Sequence, residues 1–169
     1  MDYVTPPQPP AAAPPPSGTQ AIHATLISFL GVGCLIVGPS GSGKSRLAAE
    51  SLLLGGKLVA DDKVFLSLES GMLMGAPAKE MIGVVELRGV GLYKLPDTAS
   101  RQVIHVGVEL VPLEQVERLP ARHTQNLLGV NIPVIRLPVV PHTNALFMMT
   151  AVRAVQEGRI LPTDWRPGT

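Results

Sequence analysis

The segment Gly38-Pro39-Ser40-Gly41-Ser42-Gly43-Lys44-Ser45 satisfies the pattern G-x-x-x-x-G-K-S/T, and each of its parts has a physical task on a phosphate chain. Gly41 and Gly43 are free to adopt positive φ, so the loop's N–H groups can converge on phosphate oxygens, and a following helix adds its positive dipole end. Lys44 is long enough to reach β- and γ-phosphates, and the Ser45 hydroxyl is a ligand type for Mg²⁺. All eight residues are therefore candidate nucleotide contacts, with ATP and Mg²⁺ as the expected cofactors. Beyond the loop, Asp61 and Asp62 offer carboxylates to the nucleotide's phosphates. Neighbouring strand positions point to opposite faces, so the two should have different roles; the plain alternative is an acidic turn facing water. Glu86 and Arg88 stand two apart before Gly89, suited to a metal and a phosphate respectively, or to an ordinary surface ion pair. The histidines, at 23, 105, 123 and 142, lack the short paired spacing of a zinc site.

For these groups to act together, strands and a helix must bring them to one place. High β-branched and leucine content over 24–29 and 32–37, with Gly31 and Gly33 marking a tight connection, predicts two short strands, the second leading into the glycine-rich loop. Leu47, Ala48, Leu52 and Leu54 then fall on or near one helical face, and Gly55-Gly56 ends that helix. A strand over Lys57–Ala60 leads to Asp61-Asp62. Val64, Leu66 and Leu68 alternate, and Val84–Leu87 and 103–110 also have strand composition. A second helix is expected over 144–158, from Asn144 as N-cap to Gly158, with Met148, Met149, Val152 and Val155 as its apolar face. These elements predict an α/β domain around a mixed β-sheet.

Composition narrows the function classes. The 169 residues carry a net charge of +1 and only 4% aromatic residues, which excludes a nucleic-acid groove built on basic stripes and stacking rings. The apolar stretch 26–37 is broken by Ser28, Gly31 and Gly33 and is too short to span a bilayer, so no membrane association is expected. Asp2 and the prolines from Pro6 onward do not fit an export signal, and the lone Cys34 fits a reducing cytoplasm. Seven prolines lie within the first sixteen residues, so residues 1–20 are expected to form a disordered Pro/Ala-rich tail. The domain is then expected over 21–160, with a flexible C-terminus over 161–169.

Taken in order, His23-Ala24, the loop Gly38 to Ser45, Leu58-Val59-Ala60-Asp61-Asp62 and Glu86-Leu87-Arg88-Gly89-Val90-Gly91 resemble the catalytic domain of bacterial HPr kinase/phosphorylase. The resemblance implies a P-loop kinase core similar in fold to phosphoenolpyruvate carboxykinase. It further implies an ATP-dependent protein-serine kinase acting on the phosphocarrier HPr or a relative, which regulates the sugar phosphotransferase system. By resemblance Asp61 is the carboxylate that takes the proton of the attacking serine, His23 its companion, Lys44 a catalytic cation and Arg118 a further active-site arginine. Ser45 and Glu86 match the positions that hold Mg²⁺, and a homo-oligomer, a hexamer in longer relatives, is expected. The chain departs from the family in three ways: it resembles a compact form without the N-terminal domain, the region after Leu92 is shorter, and 138–144 holds no lysine or arginine where the family has a basic segment. Weak or absent phosphorylase activity is therefore expected. Two rivals remain at this point: an ATPase or small-molecule kinase with another acceptor, and a nucleotide sensor without catalysis.

Overall fold

The computed structural model describes residues 18–87 and 89–159. Its scaffold is a mixed sheet of six strands: β2 (Thr25–Phe29), β3 (Val32–Val37), β4 (Lys57–Ala60), β10 (Val106–Val111), β11 (His123–Leu127) and β12 (Val130–Pro138). Their spatial order is β11-β12-β10-β3-β2-β4. A smaller sheet pairs β1 (Gln20–Ile22), β5 (Val64–Glu69), β6 (Met72–Ala76) and β9 (Gln102–Val103) in the order β1-β5-β6-β9, and β7 (Val84–Leu87) with β8 (Gly91–Lys94) forms a hairpin sheet of its own. Two helices, α1 (Lys44–Leu53) and α2 (Ala145–Gln156), complete the set among the described residues.

Strand directions decide where chemistry can gather. β3, β10 and β12 run parallel, while β2 is antiparallel to both β3 and β4, so β4 runs with β3. The C-terminal ends of β3 and β4 and the first residues of β2 consequently share one sheet edge, the kind of edge where open α/β sheets bind ligands. Two apolar cores stabilise this arrangement. On one face Ile36, Val108, Leu47, Met148 and Val85 join the sheet to both helices and the β7–β8 hairpin. On the other, Leu26 and Leu35 pack against Leu66 and Leu73 of the smaller sheet. Gly33 lets the layers touch: a Cβ there would come within 1.9 Å of the Val103 carbonyl oxygen.

The expected α/β domain around a mixed sheet is present. α1 buries Leu47, Ala48 and Ser51, whereas Leu54 lies past its end and is exposed; Ser51 instead donates to the Leu47 carbonyl. α2 starts as expected, with the Asn144 side chain accepting from the Phe147 N–H at 2.9 Å, and Gly158 follows its end at a φ of 64°. The single strand expected over 103–110 is two: β9 ends at Val103 and β10 begins at Val106. Between them Ile104 N–H donates to Leu73 and His105 N–H to Gly33, so the chain changes sheets there. β1 begins at Gln20, and the expectations for 1–17 and 161–169 lie outside the described residues, as does Arg88. Cys34 is buried, which pushes its thiol up to about 12.

The β2–β3 hairpin turns on Leu30-Gly31, at φ 49° and 82°, on the edge away from β2's start. Left-handed backbone is costly for leucine, and this side chain is 79% exposed, so nothing offsets the cost. Leu30→Asn should raise stability by about 1 kcal/mol, read as a higher urea midpoint with unchanged slope.

Candidate active site

The phosphate loop leaves β3 at Val37 and delivers Lys44 as the first residue of α1. Gly43 is the N-cap, at φ 98°, with no side-chain cap, and the first turn of α1 holds no acidic residue. The helix therefore keeps its N-terminal N–H groups and positive dipole end for an external anion. A side chain at 43 is excluded twice, by that φ and by Val140, whose Cγ2 would stand 2.4 Å from a Cβ. Val140 N–H donates to the Ser42 carbonyl at 3.2 Å, laying the 138–144 segment against the loop.

Lys44 is buried, and its Nζ donates to the carbonyls of Gly38 at 2.9 Å and Pro39 at 3.1 Å. Burial pushes its ammonium below the ordinary lysine value, against the opposing pull of Asp62 and then Asp61. The Ser42 hydroxyl is buried in the loop without a hydrogen-bond partner among the described residues. A desolvated ammonium, an unpaired hydroxyl and uncapped helix N–H groups are the donor set that a polyphosphate satisfies.

β4 ends at Ala60, and the next two residues diverge as neighbouring carboxylates should. Asp61 is buried: its Oδ1 accepts from Thr25 Oγ1 at 2.7 Å and Ser45 Oγ at 3.0 Å, and its Oδ2 has a longer 3.4 Å contact with the Glu86 N–H. Asp62 turns outward, its side chain 78% exposed. Its φ of 67°, with Lys63 N–H bonded to the Asp61 carbonyl at 2.8 Å, makes it the centre of a γ-turn of the rarer, strained hand. His23, just before β2, brings Nδ1 to 2.9 Å from the Asp62 carbonyl oxygen and 3.1 Å from Oδ1. A carbonyl oxygen can only accept, so Nδ1 carries the proton and donates.

A cavity of about 980 Å³ connects these groups, lined by His23, Lys44, Ser45, Asp61, Asp62 and Glu86 among others. Glu86 arrives on β7, its hairpin anchored by buried Val85. Arg118 is exposed in the segment after β10 and does not line the cavity. Sequence reasoning missed Thr25, since a threonine inside a strand carries no local signal, and it missed Val140 as a wall of the cavity. Among the described residues no three His, Cys, Asp or Glu side chains form a metal cage. Mg²⁺ needs none, being held by one or two carboxylates together with nucleotide phosphates.

A family model, the HPr Serine kinase C-terminal domain, matches residues 17–159. This chain belongs to that family. Within it, the HPr kinase/phosphorylase of Geobacter sulfurreducens is 34% identical over 137 residues, covering 75% of this chain and 43% of the relative. That of Streptococcus thermophilus is 34% identical over 153 residues, covering 82% and 50%. The chain thus spans about half the length of the curated relatives it matches. The solved Hpr(Ser) kinase/phosphatase from Coxiella burnetii superposes with a TM-score of 0.77 at 28% identity, over 83% of this chain and 92% of that one. The HPr kinase fold expected from the sequence is therefore present, with the phosphate loop, both aspartates and Glu86 inside the matched region. No helix among the described residues is long and apolar enough to cross a membrane.

Proposed function

We propose that the chain is an ATP-dependent protein-serine kinase whose acceptor is an HPr-type phosphocarrier, working in the cytoplasm as a homo-oligomer and regulating the phosphotransferase system. The observation that carries the reading is the joining of loop and carboxylates in one cavity, with Ser45 bonded to Asp61 and Asp62 exposed and paired with His23. Lys44 would exchange the carbonyls of Gly38 and Pro39 for phosphate oxygens. Ser45, aimed by Asp61, and Glu86, whose N–H lies beside Asp61 Oδ2, are the residues that would hold Mg²⁺, which would neutralise charge on the transferred group.

We assign the base to Asp62, where the sequence suggested Asp61. Asp61 is buried with Oδ1 already taking two hydroxyl donors, which suits a fixed acceptor that aims Ser45; Asp62 is open to an incoming hydroxyl. In the forward step the acceptor serine passes its proton to the Asp62 carboxylate as its oxygen bonds to the γ-phosphorus, and ADP leaves. His23 holds Asp62 through Nδ1–H, and its strained turn supports a functional reading of that residue. Arg118 has no role in this account.

The reverse, phosphate-consuming reaction should be weak. It needs an inorganic phosphate held by cations, and the 138–144 segment presents the Val140 side chain to the cavity instead. Mass spectrometry of purified HPr homologues after incubation with the protein and MgATP tests the kinase reading: one added phosphate on a serine is expected, and phosphate released only to water would overturn it. Supplying inorganic phosphate to the seryl-phosphorylated product should yield little pyrophosphate; rapid release would contradict the second expectation.

A further inference from the structure

Thr25 is the first residue of β2, the strand that lies between the phosphate-loop strand β3 and the Asp61 strand β4. Its side chain is completely buried, and its hydroxyl donates 2.7 Å to Asp61 Oδ1, the same oxygen that accepts from Ser45 at 3.0 Å. We propose that Thr25 is a positioning residue that fixes the Asp61 carboxylate across the strand gap, so that Asp61 in turn aims the Ser45 hydroxyl at a Mg²⁺–nucleotide.

The argument runs through the hydrogen count of Ser45. A serine hydroxyl has one proton, and giving it to Asp61 leaves its lone pairs for a cation. That orientation lasts only while the Asp61 oxygen stays put. Asp61 stands just beyond β4, where the chain enters the strained turn at Asp62, so its backbone alone is a poor guarantee of side-chain direction. Thr25 supplies what is missing. It is held on a strand paired on both sides and is fully buried, and β-branching restricts its χ1, so the hydroxyl direction is set before any ligand arrives. A second donor on one carboxylate oxygen also keeps that oxygen well satisfied out of water. Valine has nearly the same shape and no donor, whereas serine keeps the donor and loses the branch.

The inference rests on the reading of the cavity as a Mg²⁺–nucleotide site, and the test separates the two. ATP affinity is measured by calorimetry on the full chain, with Mg²⁺ and again in EDTA. Wild type is expected to bind in both conditions and more tightly with Mg²⁺. Thr25→Val should lose about tenfold or more of the Mg²⁺-dependent gain, as expected for one hydrogen bond to a charged group, and keep its affinity in EDTA. Thr25→Ser should recover most of that gain. In an Asp61→Ala background, which removes the accepting oxygen altogether, the valine change should add nothing, because its target is gone. A Thr25→Val protein with the full Mg²⁺ gain, or one whose loss persists undiminished in the Asp61→Ala background, overturns the role of Thr25. Should valine prevent folding, Thr25→Ala against Thr25→Ser gives the same contrast of hydroxyl absent and present. Wild-type protein that binds no ATP overturns the nucleotide reading itself.

Discussion

Lys44→Ala is expected to abolish nucleotide binding at millimolar MgATP and to lower phosphoryl transfer by at least about 10²-fold, the scale set by removing one pre-positioned donor from a charged transition state. The folded protein should tolerate the change. The Lys44 ammonium sits at a helix N-terminus and is disfavoured by burial, so its lowered pKa marks a cost to the fold at neutral pH. That cost is present below the depressed pKa and vanishes once pH passes the unfolded value, so alanine removes a penalty. Two measurements check this: equilibrium dialysis with ATP, and a urea midpoint at neutral pH that does not fall. Retained binding together with retained turnover would remove the phosphate loop from the chemistry.

The second large effect separates the two aspartates. Asp62→Asn should lower transfer to the acceptor serine by about 10² to 10⁴, the usual worth of a general base, with ATP affinity unchanged. Asp61→Ala should weaken the affinity for MgATP, because the Ser45 hydroxyl loses the acceptor that aims it. The contrast comes from burial: Asp61 is enclosed by Thr25, Ser45 and the Glu86 N–H, while Asp62 is 78% exposed beside His23. Single-turnover rates at saturating ATP, set beside binding constants for both variants, decide it. An Asp62→Asn protein that transfers phosphate at the wild-type rate would end the assignment.

The parts of this site that were legible in the sequence are those written in consecutive residues. Gly38 to Ser45 declares a loop between a strand and a helix because glycine positions, lysine reach and apolar flanks are all local. The adjacency of Asp61 and Asp62 likewise forecast divided roles, since neighbouring side chains take opposite directions. Which aspartate takes which role depends on β2 lying between β3 and β4, a pairing that no short stretch of sequence encodes. Strand β12 was hidden for a different reason: Pro133 and Pro138 sit within it, and proline argues against a paired strand. The break between β9 and β10 was invisible because 103–110 has unbroken strand composition. The chain changes sheets there through backbone hydrogen bonds to partners far away in sequence.

The β7–β8 hairpin, a sheet to itself, contributes Glu86 and Tyr93 to the lining of the cavity that holds the phosphate loop. Because its strands share no ladder with the six-stranded scaffold, insertions or substitutions at its tip are expected to leave the phosphate loop undisturbed. Under the proposed kinase reading, the surface that selects the acceptor can then change in evolution independently of the loop that grips the phosphoryl donor.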